Sequence, residues 1–457
     1  MKRILVIDDD RASCNLLREL FTAQGWSAET AQTPQQALKL AAQEKFDLLV
    51  SDINLEAELS GLDLLRQLRD QCPVILITGF GTLETTVTAS REGAWDIISK
   101  PFKVREIIAT VKRALEHSAE KSREAVPDLL TAKYESTGLV GRSPAMLELY
   151  KKIARVAPSR STVLIIGESG TGKELIARAI HQHSARASGP FVPVNCGALT
   201  ETLLEAELFG HVKGSFTGAA ADRKGLWEEA EGGTLLLDEI GETSQAMQVK
   251  LLRTLQEKEI RRVGASKTLK VDARVVAATN RELEHEVAAK NFREDLFYRL
   301  SVVTLRVPSL RDRRSDIPLL AERFLRSASE NAGRDQLHFL EDTIRVLTAY
   351  DWPGNVRELE SAVEYAALDA RGAEITPDDL PARLQSEAVR NKAARTPLSA
   401  LYDDLPLLEE LERRYLLHVL AVVGGNRSRA AEVMGVDRRT LYRMAERFGI
   451  RNDDEKE

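Results

Sequence analysis

The chain has 457 residues, which at about 150 residues per domain suggests roughly three domains, and its 43% hydrophobic content is ordinary for globular protein. Its net charge of -6 excludes a general basic field for nucleic acid, so such a partner would have to meet a local patch. The three scattered cysteines argue against a disulfide framework. "MKRILVIDDD" is not a signal-peptide pattern, and no apolar run approaches the ~20 residues of a membrane span, so we expect a cytoplasmic protein.

Short apolar runs near the amino terminus predict a parallel α/β sheet, because each precedes a polar turn and a helix-like stretch. They are "ILVI" (4–7), "DLLV" (47–50), "VILIT" (74–78) and "DIIS" (96–99). The carboxyl ends of parallel strands line one crevice. We therefore expect the strand-end residues to meet there, namely Asp8, Asp9, Asp52, Thr78 and Lys100.

This crevice predicts phosphoryl chemistry. Three carboxylates at close range repel one another unless a cation lies among them, and an all-oxygen ligand set favours Mg²⁺. A carboxylate beside Mg²⁺ can attack a phosphoryl group and form an aspartyl phosphate. Lys100 would then pair with the new charge, and Thr78 would hydrogen-bond a phosphate oxygen.

Residues 1–120 resemble the receiver domain of two-component response regulators, which has a flavodoxin-like fold. The resemblance implies Asp52 as the phosphoacceptor, Asp8 and Asp9 as further metal ligands, and a sensor histidine kinase as partner. It also implies Thr78 and Lys100 as switch residues.

Two positions depart from the receiver pattern. Leu55-Glu56 stands where Met-Pro is usual, and Ile97 stands where the family has Tyr or Phe. A helix with one apolar face closes the block, and residues 121–137 are predicted to form a linker helix.

A second α/β block, residues 138–308, contains a phosphate loop in "VLIIGESGTGKE". Its glycines let backbone N–H groups face phosphate oxygens, and its lysine reaches the outer phosphates. A Glu follows the lysine where Ser or Thr is usual. We assign ATP binding to Gly167, Glu168, Ser169, Gly170, Thr171, Gly172, Lys173 and Glu174.

Polar groups at later strand ends predict hydrolysis. In "GGTLLLDEI", Asp238 suits Mg²⁺ and Glu239 suits polarising the attacking water. Asn280 ends the apolar strand "VVAATN" and is placed to sense the γ-phosphate. Arg293 and Arg299 are candidates to reach a neighbouring subunit's γ-phosphate.

Residues 309–384 show helical periodicity and are predicted to form a helical lid, to which "WPGNVREL" contributes Arg357 at the nucleotide. Between the phosphate loop and the acidic strand lies a segment that we call the finger. It comprises Gly214, Ser215, Phe216, Thr217, Gly218 and Ala219. Glycine hinges would let it swing and its apolar tip dock on a partner. Spacing alone leaves open an ordinary turn whose aromatic packs inward.

Residues 138–385 resemble the AAA+ ATPases of bacterial enhancer-binding proteins, the NtrC class that activates sigma-54 RNA polymerase. "ELFGHVKGSFTGA" is the closest match, with Ser215 where the family has Ala, and Glu174 is usual in that class. The resemblance implies that Phe216 and Thr217 contact sigma-54 and move with the nucleotide state. It also implies that Asn195 restrains Glu239 and couples it to the finger.

Residues 385–400 are predicted to be a linker, and residues 401–457 a helical unit. Seven arginines against three acidic residues in 426–451 give a local excess of four positive charges, which suits phosphate contact and guanine readout. A solvated helical hairpin is the alternative interpretation. We assign DNA contacts to Arg438, Arg439, Thr440 and Arg443.

"GGNRSRAAEVMGVDRRTLYR" resembles the Fis-type helix-turn-helix that ends NtrC-class activators, and this implies that the preceding helix dimerises. Dimers imply paired DNA half-sites. The combined hypothesis is a response regulator, phosphorylated at Asp52, that assembles into a ring and hydrolyses ATP to remodel sigma-54 polymerase. A DNA-binding regulator using another sigma factor, and a remodelling ATPase whose helix-turn-helix binds protein, are the alternatives.

Overall fold

The computed structural model describes residues 2–55, 59–79, 81–117, 138–215, 221–332, 337–370, 372–385, 408–423 and 426–448. The chain divides into two compact units, residues 1–379 and 380–457, and each is described by itself. Both predicted linkers, 121–137 and most of 385–400, lie outside the described residues.

The first unit begins with a five-stranded parallel sheet in the order β2-β1-β3-β4-β5. Its strands are β1 (Arg3–Ile7), β2 (Ser27–Ala31), β3 (Leu48–Asp52), β4 (Val74–Thr78) and β5 (Asp96–Ser99). Its helices are α1 (Arg11–Ala23), α2 (Pro34–Gln43), α3 (Gly61–Leu68), α4 (Leu83–Arg91) and α5 (Val104–His117). Alternate strand residues are buried on opposite faces, Leu5 and Ile7 with one helical layer, Ile4 and Val6 with the other.

A second five-stranded parallel sheet follows in the order β12-β6-β11-β8-β7. Its strands are β6 (Val163–Ile166), β7 (Phe191–Asn195), β8 (Thr234–Asp238), β11 (Arg274–Thr279) and β12 (Val303–Arg306). Its helices are α6 (Pro144–Val156), α7 (Lys173–Gln182), α8 (Glu201–Phe209), α9 (Leu226–Glu229), α10 (Gln245–Glu257), α11 (Leu283–Ala288) and α12 (Glu294–Leu300). A small antiparallel hairpin of β9 (Glu259–Arg261) and β10 (Thr268–Lys270) packs on this domain through Ile260 and Leu269.

The lid consists of α13 (Ile317–Ala332), α14 (Glu341–Ala349) and α15 (Asn355–Asp369), with a short parallel pair, β13 (His338–Phe339) and β14 (Glu374–Ile375). A 3-10 segment, Leu310–Asp316, connects it to β12. Trp352 is fully buried at its centre and donates from Nε1 to the Leu347 carbonyl oxygen at 2.8 Å.

The receiver and the ATPase domain share a packed interface. Helix α4 lies against α6, so that Leu83 and Val87 join the apolar core of the ATPase domain. Leu147 of α6 in turn joins the receiver core. The two domains of this unit are therefore in direct side-chain contact.

The second unit has three helices, α16 (Leu408–Val422), α17 (Arg427–Met434) and α18 (Arg438–Arg447). Asn426 and Asp437 cap α17 and α18 through their side chains, and left-handed Gly435 (φ 66°) ends α17. Its core combines Leu416 and Val419 with Ala430, Ala431, Leu441 and Ala445. Within the described residues, no helix is both long and apolar enough to cross a membrane.

The predicted fold class is confirmed: a flavodoxin-like receiver, an AAA+ phosphate-loop domain with a helical lid, and an all-α helix-turn-helix domain. The receiver strand order is that of the flavodoxin-like fold. Strand β2 was not predicted, because "SAETA" is a half-buried edge strand without an apolar run.

Candidate functional sites

The crevice at the carboxyl ends of β1 and β3 holds three carboxylates. Oxygen atoms of Asp8, Asp9 and Asp52 lie within 4.8 Å of one another, and Asp9 is exposed. The Asp10 N–H donates to Asp8 at 3.0 Å, and the Asn54 N–H donates to Asp52 at 2.9 Å. This all-oxygen set of exposed and buried carboxylates fits a hard divalent cation.

Lys100, just after β5, neutralises part of this charge. Its Nζ lies 2.6 Å from Asp8 and 2.5 Å from Asp52. Burial raises the pKa of Asp8 above its usual value, although the bond from Lys100 opposes the shift. Burial acts to lower the pKa of Lys100, but the hydrogen bonds to Asp52 and Asp8 raise it overall. Thr78 is buried at the end of β4, and its carbonyl accepts from the Lys100 N–H at 2.7 Å.

The phosphate loop wraps around its own lysine. Lys173 Nζ donates to the carbonyls of Gly167 at 2.8 Å and Glu168 at 3.0 Å, and Thr171 Oγ1 donates to Glu168 at 2.8 Å. Burial lowers the pKa of Lys173, although the acidic strand end opposes the shift. The loop is thus arranged to give these donors to phosphate oxygens. Glu174 points outward and pairs with Arg178 at 2.7 Å.

The lid holds the phosphate loop through its backbone. The N–H groups of Val356 and Arg357 donate to the Gly170 carbonyl at 3.0 and 3.3 Å, and Arg357 Nη1 lies 3.4 Å from Ser169 Oγ. A side chain at Gly170, which is left-handed (φ 75°), would collide with the Gly354 carbonyl oxygen. The backbone of the lid is therefore in direct contact with the backbone of the phosphate loop at Gly170.

Sequence reasoning missed two residues of this contact. Asn355, fully buried, donates from Nδ2 to Glu168 at 3.0 Å and to the Ser169 carbonyl at 3.1 Å, while its Oδ1 accepts from the Leu310 N–H at 2.9 Å. Arg311 forms a bidentate ion pair with Glu168. The turn dipeptide in "WPGN" was the available signal for Asn355.

The acidic pair ends β8 beside this loop. Burial raises the pKa of Asp238, and its carboxylate accepts from the Glu239 N–H at 2.9 Å. Glu239 has the left-handed backbone (φ 53°) that is uncommon for this residue type. A Cβ on Gly197 would lie 2.7 Å from the carboxylate of Glu239, so the Glu239 side chain packs against the turn that follows β7.

Asn195 organises the same turn. Its Oδ1 accepts from the N–H groups of Gly197 at 2.8 Å and Ala198 at 3.0 Å, and it pairs across the sheet with Asp238. Within the described part of the chain, no hydrogen bond joins Asn195 to Glu239. Both side chains meet the backbone of this turn at Gly197, and α8 follows the turn in the chain.

Asn280 and the two arginines lie in different surroundings. Asn280 is exposed directly after Thr279, whose carbonyl accepts from the Gly167 N–H at 3.2 Å, so it borders the phosphate loop. Arg293 pairs with Asp295 at 2.7 Å, and Arg299 donates to the Leu255 carbonyl at 3.0 Å. Both arginines thus bond to groups outside the phosphate loop of their own subunit.

The finger stands on a stem of residues 210–213 and 221–225. His211 pairs antiparallel with Arg223, the Val212 N–H donates to the Val263 carbonyl at 3.1 Å, and Lys213 N–H donates to Asp222 at 2.7 Å. Gly214 has φ 82°. Ser215 packs on Gly264, while Phe216, Thr217, Gly218 and Ala219 lie outside the described residues.

Helix α18 presents the predicted DNA-contact residues outward: Arg438, Arg439, Thr440 and Arg443 are all exposed. Leu441 and Ala445 are buried on the opposite face. Thr440 is held by Asp437, which accepts from its N–H at 2.9 Å and its hydroxyl at 3.0 Å. One face of this helix is therefore available to a phosphate-rich partner.

Comparison with known families covers nearly the whole chain. The matches are Response regulator receiver domain over residues 4–112, Sigma-54 interaction domain over 139–306, AAA+ ATPase lid domain over 311–397, and Bacterial regulatory protein, Fis family, over 407–446.

Individual relatives match over the same length. The transcriptional regulatory protein ZraR of Escherichia coli K12 is 45% identical, covering 96% of this chain and 97% of its own. The regulatory protein AtoC of the same organism is 43% identical over 98% of both chains. The crystal structure of NtrX from Brucella abortus in complex with ATP has 38% identity and a TM-score of 0.51, covering 98% of this chain and 99% of that one. Its ADP complex has a TM-score of 0.52.

These domains occur together in one order, and the central one is an ATPase that binds nucleotide. The receiver receives a phosphoryl signal, the central domain interacts with sigma-54, and the Fis domain binds DNA. The chain belongs to the NtrC class of sigma-54-dependent two-component response regulators.

Proposed function

We propose that a sensor histidine kinase phosphorylates Asp52 and that this drives assembly of the ATPase domains into a ring. Each ring hydrolyses ATP between subunits and remodels the sigma-54 RNA polymerase holoenzyme from upstream DNA sites. The work takes place in the cytoplasm, where the polymerase is.

The α4–α6 interface is the observation that carries this proposal. Thr78 ends β4, and α4 begins five residues later with Leu83, which is buried in the ATPase core. A Cβ at Gly81 between them would lie 3.2 Å from Thr78 and 3.3 Å from Leu147 of α6. A displacement of Thr78 toward a phosphoryl group on Asp52 would therefore disturb the packing on the ATPase domain.

Asp8, Asp9 and Asp52 would hold Mg²⁺ in the receiver, and Asp238 would hold it beside ATP. The ion supplies charge neutralisation for the incoming phosphoryl group. Lys100, already 2.5 Å from Asp52, pairs with the added negative charge, and Thr78 orients a phosphate oxygen. At the ATP site Glu239 would orient the attacking water, and Asn280 would sense the γ-phosphate.

Assembly is supported by the surface around Arg299. Tyr298 and Val302 are 66% and 58% exposed beside it, and apolar side chains of this size are suited to burial against another copy. The Arg293 side chain is 40% exposed at the N-cap of α12. We assign Arg293 and Arg299 to contact with the neighbouring subunit's γ-phosphate. The ring that we propose is a hexamer.

The finger tip, Phe216 and Thr217, is assigned to sigma-54, on the stem that Asn195 and α8 connect to the ATP site. Arg438, Arg439, Thr440 and Arg443 are assigned to DNA, with α16 as the element that dimerises. Salt-sensitive binding to duplex DNA that requires Arg439 would support this assignment and exclude a helix-turn-helix that binds only protein.

ATP hydrolysis by the full chain, before and after treatment with a small acyl phosphate, tests the proposal. We expect hydrolysis to increase on treatment, to rise more steeply than protein concentration, and to lose its response in Asp52→Asn. Arg293→Ala should bind ATP and fail to hydrolyse it. Hydrolysis proportional to protein concentration and unchanged in Arg293→Ala would contradict assembly-dependent catalysis.

A further inference from the structure

A basic cavity lies at the opposite end of the ATPase sheet from the phosphate loop. It has a volume of about 300 Å³ and opens at the amino ends of β6 and β11. We call it the basic pocket, and its charged lining consists of Arg160, Arg186, Lys258, Asp272, Arg274 and Arg299. A second cavity of about 210 Å³ shares Arg160, Arg186, Asp272 and Arg274 with it.

The basic pocket is lined by many more cationic side chains than carboxylates. Among the described residues that line it, Asp272 is the one carboxylate, and Arg186 already pairs with it at 2.6 Å. The backbone of Lys258 is hydrogen-bonded to Thr254 and Val271, but within the described ranges the side chains of Arg160 and Lys258 form no hydrogen bond or ion pair. Like charges gathered without counter-charge are unfavourable unless an anion joins them.

Arg274 is the buried member of this group. Its two terminal nitrogens donate to the carbonyls of Ala157 at 2.6 Å and Val156 at 2.9 Å, and only 3% of the residue is exposed. Burial, and then the charge of Arg186, lower the pKa of Arg274 to about 10. The guanidinium is therefore held in place without a carboxylate partner.

Donors remain unsatisfied around the cavity. Nε of Arg274 and Nε1 of Trp227, which also lines it, are buried and have no hydrogen-bond partner in the described structure. Buried N–H groups without acceptors are rare in folded proteins and call for a physical reason. Lys258 is left-handed (φ 54°) at the end of α10, a position that Gly or Asn usually occupies.

We propose that the basic pocket binds the phosphate group of a phosphate-type anion, at a site separate from the ATP site. Uncompensated arginines and a lysine supply the charge-assisted hydrogen bonds that phosphate oxygens accept. We assign the site to a free inorganic phosphate compound, bound at the opposite end of the ATPase sheet from the phosphate loop.

The test measures calorimetric binding of inorganic pyrophosphate to the full chain carrying Lys173→Ala, in EDTA, so that the ATP site and metal-dependent sites do not contribute. Binding of one pyrophosphate per chain is expected, weakening as salt is added. Combined Arg160→Gln and Lys258→Gln should weaken it about tenfold or more. Combined Lys152→Gln and Arg155→Gln removes the same charge from exposed positions of α6 outside the cavity and should leave binding unchanged.

The proposal is overturned if pyrophosphate does not bind the Lys173→Ala chain, or if it binds equally well after Arg160→Gln and Lys258→Gln are added. This test is independent of the proposed function, because it uses a chain whose ATP site is disabled and does not measure ATP hydrolysis.

Discussion

Lys151 Nζ lies 2.7 Å from Oδ1 of Asp96, so one ion pair joins α6 of the ATPase domain to the first residue of receiver strand β5. Both side chains are only about a fifth exposed, at 20% and 22%, and the pair borders the apolar contact of α4 with α6. Nearby, Arg91 Nη2 donates to the His183 carbonyl at 2.9 Å across the same interface. Polar and apolar contacts together join the receiver to the ATPase domain.

Reversing the charge of Lys151 should uncouple the two domains. Lys151→Glu sets a carboxylate against Asp96, which replaces an attraction on the order of 1 kcal/mol by repulsion. We expect the ratio of ATPase activity with and without an acyl phosphate to fall toward one. The swap Asp96→Lys with Lys151→Asp should restore the ratio in part, and Lys152→Glu, an exposed neighbour, should not change it. An unchanged ratio in Lys151→Glu would show that the signal does not pass through this interface.

Removing Lys100 should destabilise the receiver, because the carboxylates of the acidic crevice then repel one another. Lys100→Met leaves Asp8, Asp9 and Asp52 together without their cation, so thermal stability should fall in EDTA. Added Mg²⁺ should then raise the melting temperature more in Lys100→Met than in the wild type, because it replaces the lost charge. The measurement is a pair of melting curves with and without Mg²⁺. A Mg²⁺ shift that persists in the combined Asp8→Asn and Asp9→Asn variant would place the ion elsewhere.

Truncating Asn355 should release the lid from the phosphate loop. Asn355→Ala removes three hydrogen bonds at a buried position, and at about 1 kcal/mol each the free energy of unfolding should fall by about 3 kcal/mol. ATP affinity should fall as well, since Arg357 is positioned by the same contact. Chemical denaturation and nucleotide titration measure the two effects. Asn331→Ala, at an exposed position of α13, is the matched control. Equal ATP affinity in both variants would show that the contact of the lid with the phosphate loop does not contribute to ATP binding.

The sequence predicted the sites whose residues are contiguous or end successive strands. The phosphate loop, the acidic pair and the carboxylate crevice follow from local motifs, because parallel strands bring their carboxyl ends to one edge. Asn355 and Arg311 could not be assigned this way, since they meet Glu168 from 187 and 143 residues away. Nor did any motif indicate the interface of α4 with α6, which depends on how two folded domains pack. The edge strand β2 was missed because three of its five residues are polar.

DNA recognition should depend on the exposed face of α18. Arg439→Ala should weaken specific binding by about 1–3 kcal/mol if the side chain reads a base edge, and Arg438 and Arg443 should contribute phosphate contacts with a clear salt dependence. Fluorescence anisotropy with a duplex site at two salt concentrations measures both. Arg413→Ala removes an exposed arginine from α16 and serves as the control. Loss of affinity in the control as large as in Arg439→Ala would contradict the assigned face.

ATP hydrolysis is proposed to drive the finger against sigma-54, and promoter opening reports directly on that step. The measurement follows open-complex formation by sigma-54 holoenzyme with the phosphorylated full chain and ATP, comparing wild type with Thr217→Ala. We expect the wild type to open the promoter, and we expect Thr217→Ala to form the ring and hydrolyse ATP without opening it. Opening at the wild-type rate by Thr217→Ala, or no opening by a wild-type chain that still assembles and hydrolyses ATP, would contradict it.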